Sequence, residues 1–125
     1  MVESQSMLLQ AIMPKDTAYT PPPAPPESGM NQLAAEVHET AVNAGWWDYP
    51  PDFPAIIALC HAELSEALEA YRNRRGDKCV NEELADCILR ILDYCGREGI
   101  NIERAIREKH EFNKRRAYRH GGKVC

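Results

Sequence analysis

From residue 30 onward, apolar residues recur at steps of three and four positions, which is the spacing of an amphipathic α-helix. The pattern predicts four helices, at about 30–44, 53–74, 82–95 and 102–118. Gly45 is the predicted stop of the first helix, and Gly96 and Gly99 are predicted to end the third. Asn81 and Asn101 are the predicted N-caps of the third and fourth helices. Since no segment alternates with period two, the sequence predicts an all-α fold.

The third predicted helix, ELADCILRILDYC, is apolar over most of its circumference and is therefore expected to be central. A domain of about 90 residues buries little more than about 60% of its unfolded surface. Three short neighbouring helices leave such a helix partly uncovered. We therefore expect a four-helix bundle that is completed by homo-oligomerisation.

Residues 1–29 differ in composition from the rest of the chain, because six of the nine prolines lie at positions 14–26. Such a run favours polyproline II and predicts a flexible extension, followed by a helical domain over residues 30–125. No stretch approaches the roughly 18 apolar residues of a membrane span, and the N-terminus has no basic region typical of a signal peptide. The five cysteines show no CxxC spacing, so a cytoplasmic protein with reduced thiols is expected.

The formal net charge of −4 is unevenly distributed. Residues 1–100 carry 7 Lys and Arg against 16 Asp and Glu, whereas residues 101–125 carry 8 against 3. A basic C-terminal end is compatible with nucleic-acid binding, but the acidic body would repel a phosphate backbone, so no nucleic-acid partner is expected. The alternative is one site with acidic groups for a metal and basic groups for an anion.

Four acidic residues form two pairs with the same spacing, Glu63 with Glu66 and Glu83 with Asp86. Residues three apart lie on one side of a helix, and Glu63 falls at the edge of the predicted apolar face of its helix. Glu83 likewise flanks the predicted apolar stripe of its own helix, Leu84, Ile88, Ile91 and Cys95. Two antiparallel helices would bring the pairs together, at a cost of about 3 kcal/mol for each close like-charged pair. A bound Mg²⁺, or Mn²⁺ in its place, would replace this repulsion with attraction of the carboxylates to the ion. The alternative is that all four are solvated surface acids.

The fourth predicted helix changes from aliphatic to cationic along one face, through Lys109, Asn113 and Arg116. Such a face is suited to lining an anion site, although a frayed basic helix end is an equal alternative. Beyond it, Arg119, His120 and Lys123 surround Gly121 and Gly122, whose backbone amides can approach an anion. In the loop after the first helix, Trp46 and Trp47 either stack on a planar base or seal one end of the bundle.

Four segments together resemble the MazG-like, all-α nucleotide pyrophosphohydrolases, especially the short single-domain members carried by phages and mobile elements. They are NQLAAEVHETAVNAGWWD (31–48), HAELSEALEAYRN (61–73), EELADCILRILDYCG (82–96) and EKHEFNKRRAYRHGGK (108–123). The hallmark of that family is ExxE, a spacer and ExxD, followed by a last helix with Lys and Asn. The Pro-rich extension departs from the family pattern.

The resemblance implies a Mg²⁺-dependent enzyme that cleaves NTPs or dNTPs to the monophosphate and pyrophosphate and forms homodimers or dimers of dimers. It assigns the metal and the catalysis to Glu63, Glu66, Glu83 and Asp86. It assigns the triphosphate to Lys109, Asn113 and Arg116, and the edge of the base to His38 and Trp47. Other functions on the same scaffold are a non-catalytic nucleotide-sensing or protein-interaction module and, within the enzyme class, a phosphoribosyl-ATP pyrophosphatase.

Overall fold

The computed structural model describes residues 29–117, which form four α-helices with no strand among them. The helices are α1 (Gly29–Asn43), α2 (Phe53–Arg72), α3 (Asp77–Glu98) and α4 (Ile102–Lys114). The predicted all-α fold class is therefore confirmed for this part of the chain. In the same range, no helix combines the length and the apolar character needed to cross a membrane. Outside the described residues lie the predicted extension up to residue 28 and the predicted anion contacts Arg119, His120, Gly121, Gly122 and Lys123.

Local capping chemistry fixes three of the helix ends. The Asp52 side chain accepts a hydrogen bond from the backbone N–H of Ala55 at 2.9 Å at the start of α2. Asn101 caps α4 in the same way, through the N–H of Arg104 at 3.0 Å, as the sequence predicts. Helix α3 ends at Gly99, whose φ of 64° lies in the left-handed region that glycine adopts without strain.

The predicted start of the third helix at Asn81 is wrong, because α3 begins at Asp77 and Asn81 lies within it. Gly76, with a φ of 95°, ends the reversal that leads from α2, and Asp77 places a negative charge in the first turn of the helix. The connection between the two helices is therefore only residues 73–76. Such a short connection makes α2 and α3 antiparallel neighbours.

Helix α3 is central, because it packs against both α1 and α2. The contact with α1 is close at Gly96, where an added Cβ would lie 2.4 Å from the carbonyl oxygen of Ala34 and 2.8 Å from the Cβ of His38. Gly96 therefore does not end the helix, as its sequence position suggests, but lets α1 approach the α3 backbone. A small buried cluster lies beside this crossing and consists of Ala34, Leu92 and Cys95, with Val37, Ile100 and Ile102 packed against it.

The buried face of α2 consists of one line of residues at alternating steps of four and three, which is the spacing of a seam against a neighbouring helix. Glu63 lies within this line and is only 7% exposed. The sequence placed Glu63 at the edge of the apolar face, and the structure moves it into the seam between α2 and α3. The members of the line are Ile56, Cys60, Glu63, Ala67 and Ala70.

Apolar side chains also form strips that the described chain leaves exposed on α2 and α3. The strip on α3 is one that the sequence assigned to the interior, and it includes Leu84, Ile88 and Ile91 at 43%, 57% and 41% exposure. The residues of α3 that are buried are instead Cys87, Leu92 and Cys95. The corresponding exposed residues of α2 are Leu64, Leu68 and Tyr71.

Candidate functional site

Three of the four predicted acids converge where α2 packs against α3. Carboxylate oxygens of Glu63, Glu83 and Asp86 all lie within 4.8 Å of one another. Glu63 is buried, Glu83 is half-buried and Asp86 is exposed, so the cluster runs from the seam to the surface. Glu66 is exposed and lies outside this group of three. Three carboxylates on two helices form an all-oxygen donor set, which fits a hard divalent cation such as Mg²⁺ or Mn²⁺.

The crowding of negative charge acts on Glu83. Partial burial raises the pKa of its carboxyl group, and the negative charges of Glu66, Glu63 and Asp86 raise it further. A hydrogen bond between the carboxyl groups of Glu83 and Glu63 contributes in the same direction. Glu66 therefore lies near enough to influence the cluster, although its oxygens do not join the group of three. A bound divalent cation would relieve this repulsion, which supports the fit of the donor set.

Arg90 also contacts the cluster, and the sequence reasoning did not single it out. Its Nε donates a hydrogen bond to Oε1 of Glu63 at 2.6 Å, and its Nη2 lies at the same distance from the same oxygen. The Glu63 side chain is 9% exposed and that of Arg90 is 36% exposed. The buried carboxylate of the candidate metal centre thus has a cationic partner from the chain itself.

The cluster opens into a cavity of about 570 Å³ between α1, α2 and α3. Glu63 and Asp86 lie on its wall, and so do Trp46 and Trp47 of the loop after α1. The cavity therefore joins the acids to the aromatic loop. The other lining residues are Val37, Thr40, Ala41, Ala44, Pro51, Ile56, Leu59, Leu89, Arg90, Asp93 and Tyr94.

His38 and Trp47 are brought together by Asp93, a second residue that the sequence reasoning missed. The indole Nε1 of Trp47 donates to both carboxylate oxygens of Asp93, at 2.9 and 3.1 Å, and Nδ1 of His38 lies 2.8 Å from Oδ1. Because an ionised carboxylate only accepts hydrogen bonds, Nδ1 carries the proton and a neutral ring presents Nε2 as an acceptor. The imidazole meets the indole edge at a centroid distance of 5.4 Å, and the Arg97 guanidinium stacks on the same indole at 4.3 Å. Asp93 thus fixes the orientation of both rings.

The three predicted phosphate contacts, which are Lys109 and Asn113 on α4 and Arg116 just beyond its end, do not line this cavity. Nζ of Lys109 lies 4.7 Å from the ring centre of Phe112, and the Arg116 guanidinium lies 5.9 Å from the same ring. Asn113 is exposed on the same helix, whose main packing partner is α1. Within the described residues of one chain, the structure thus separates Lys109, Asn113 and Arg116 from the acids.

A polar strip along α3 carries most of the site. Its members follow one another at steps of three and four residues, so they share one face of the helix. This spacing is visible in the sequence and could have identified the two residues that were missed. The members are Glu83, Asp86, Arg90, Asp93 and Arg97.

Comparisons with known proteins assign no family to this chain, since no protein-family model, no curated protein and no solved structure matches it.

Proposed function

We propose that this chain is a Mg²⁺-dependent nucleoside triphosphate pyrophosphohydrolase of the MazG-like type, which cleaves an NTP or dNTP to the monophosphate and pyrophosphate. One observation carries the proposal: Glu63 and Asp86, which converge with Glu83, lie on the wall of a cavity that Trp46 and Trp47 also line. A nucleotide has the matching arrangement, with a charged phosphate chain at one end and a planar base at the other. We place this activity in the cytoplasm, where it would clear or balance nucleotides.

In this proposal, Glu63, Glu83 and Asp86 would hold the metal, which when bound would neutralise phosphate charge and make a water easier to deprotonate. Glu66 lies outside the group of three and, unlike Glu63, has no arginine bonded to it among the described contacts. We therefore assign Glu66 the role of general base, which takes a proton from the attacking water. The water oxygen bonds to the α-phosphorus, the bond to the bridging oxygen breaks, and pyrophosphate leaves.

The base and the phosphate chain would be bound at different parts of the molecule. Trp47 and His38, both oriented by Asp93, would border the base. The proposed role of Lys109, Asn113 and Arg116 at the triphosphate requires that another copy of the chain supplies them, from α4 and the residues just after it. We therefore propose a homodimer or a dimer of dimers, and the exposed apolar strips of α2 and α3 support such an assembly.

The test is a panel of NTPs and dNTPs incubated with and without Mg²⁺, with the products separated by ion exchange. We expect monophosphate and pyrophosphate only when Mg²⁺ is present. Glu66→Gln and Glu83→Gln should each lose turnover, whereas Glu69→Gln, an exposed change on α2 outside the cluster, should keep it. Nucleoside diphosphate and orthophosphate as products would contradict attack at the α-phosphorus.

The contact between Arg90 and Glu63 favours one alternative, a non-catalytic nucleotide-sensing or protein-interaction module. A carboxylate that an arginine already neutralises can be stable without any metal. Such a module would bind a nucleotide without cleaving it. Binding of a nucleotide that is not hydrolysed in the presence of Mg²⁺ or Mn²⁺ would support this alternative over the enzyme.

A further inference from the structure

Arg90 and a divalent cation would share one carboxylate. Glu63 belongs to the group of three convergent acids, and its Oε1 also accepts from Arg90 at 2.6 Å. Arg90 lies on α3 one turn beyond Asp86 and two turns beyond Glu83, so its guanidinium is on the face that carries the other two acids. Two positive charges at one buried carboxylate repel each other strongly, because the surroundings screen them little.

We propose that Arg90 has two positions: it neutralises Glu63 when no metal is bound, and it binds the phosphate chain of the substrate once a metal has taken Glu63. This inference rests on the proposed function, since it concerns the order of events at the same metal centre. Metal binding would then release the Arg90 guanidinium from Glu63, so that it can contact the substrate.

The second position follows from what lines the cavity. Among the described residues, Arg90 is the one lysine or arginine in the cavity wall, and neither Lys109 nor Arg116 is part of it. The Arg90 side chain is far more exposed than that of Glu63, so it has room to turn from the seam toward the cavity. A guanidinium has five N–H donors in a planar fork, which suits phosphate oxygens.

The first experiment measures Mn²⁺ binding to the full chain by the paramagnetic resonance signal of free Mn²⁺, with Arg90→Met compared with the wild type. Without the competing guanidinium, Arg90→Met should bind Mn²⁺ about tenfold more tightly. Arg104→Met is the matched control, because it removes one charge from an exposed ion pair on α4, and it should bind like the wild type. Unchanged or weaker binding by Arg90→Met would overturn the competition while leaving the metal centre intact.

Failure of the proposed function gives a different result. If neither the wild type nor Arg90→Met binds Mn²⁺, the metal centre itself is refuted, and this inference with it. If Arg90→Met binds Mn²⁺ and the wild type does not, the competition is supported in its strongest form. Circular dichroism identifies a variant that fails to fold, and Arg90→Gln, which removes the charge but can still donate a hydrogen bond to Glu63, then replaces Arg90→Met with the same expected result.

The second experiment tests the contact with phosphate by titrating pyrophosphate into protein saturated with Mn²⁺. Arg90→Met should bind pyrophosphate about tenfold more weakly than the wild type, and Arg90→Lys should lie between them, since Lys keeps the charge without the planar fork. Arg104→Met should again match the wild type. Equal pyrophosphate affinity in the wild type and Arg90→Met would overturn the second position of Arg90.

Discussion

The close approach of α1 to α3 at Gly96 predicts that Gly96→Ala destabilises the protein, although alanine is the better helix former. The new methyl group would lie 2.4 Å from the Ala34 carbonyl oxygen, whereas ordinary contact begins at 3.4 Å. Helix α1 would therefore have to retreat by about 1 Å, and overpacking of this kind costs about 1–3 kcal/mol. The higher helix propensity of alanine relative to glycine offsets about 1 kcal/mol of this cost. The expected net loss is up to about 2 kcal/mol, which lowers Tm by up to about 15 °C in a domain of this size.

The measurement is thermal unfolding followed by circular dichroism, with Gly29→Ala as the control. Gly29 also lies in a helix, and a Cβ there would meet no atom of residues 29–117 within 4 Å, so Gly29→Ala should leave Tm unchanged or slightly higher. If Gly96→Ala raises Tm as well, the close crossing of α1 and α3 does not exist. Because the new methyl would also lie 2.8 Å from the Cβ of His38, the variant should disturb the contact of His38 with Asp93.

Three further predictions concern the acids and one buried amide. The raised pKa of Glu83 means that its contribution to stability is present below the ordinary pKa of a glutamate and is lost as the pH rises through its folded value. In EDTA, Glu83→Gln should therefore have a higher Tm than the wild type at neutral pH, and the difference should vanish in acid. A lower Tm of Glu83→Gln at neutral pH would contradict the crowding of carboxylates around Glu83. Glu63→Gln should lose about 1–2 kcal/mol in urea unfolding, because Arg90 loses its charged partner, and an unchanged midpoint would argue against that bond. Asn31 is 2% exposed, and its side-chain amide donates a hydrogen bond to Oδ1 of Asn101 at 2.8 Å. Asn31→Ala should therefore lose about 1–3 kcal/mol of unfolding free energy in the same assay. A loss below about 0.5 kcal/mol would count against this link between α1 and the start of α4.

The helices were predictable because their signals are local. Apolar periodicity, the Asn101 cap and the stop at Gly99 act within one or two turns, so the sequence alone locates them. The start of α3 was missed because two local signals compete there. Asn81 is a good cap, yet Gly76 and Asp77 already begin the helix one turn earlier.

The environment of the acids was less predictable, since it depends on how the helices pack. The interval from Glu83 to Asp86 shows that both lie on one face of α3, but periodicity does not say which face meets α2. The aliphatic strip at Leu84 and Ile88 has the same helical period as the acids, and hydrophobicity alone favoured it as the interior. Only the packed structure shows Glu63 buried within a seam, with Arg90 bonded to it.

The polar strip of α3 fixes the distance between the acid cluster and the aromatic loop, which both border the cavity. Asp86 belongs to the acid cluster and Asp93 anchors Trp47, and the interval of seven positions from one to the other corresponds to an axial rise of about 10 Å. That distance is set by backbone hydrogen bonds rather than by loops, so a compound too short to span it would touch only one end. Inserting one residue between these two aspartates would rotate Asp93 by about 100° around the helix axis and uncouple the two ends. A ligand that contacts both ends at once would therefore have to match this rise along α3.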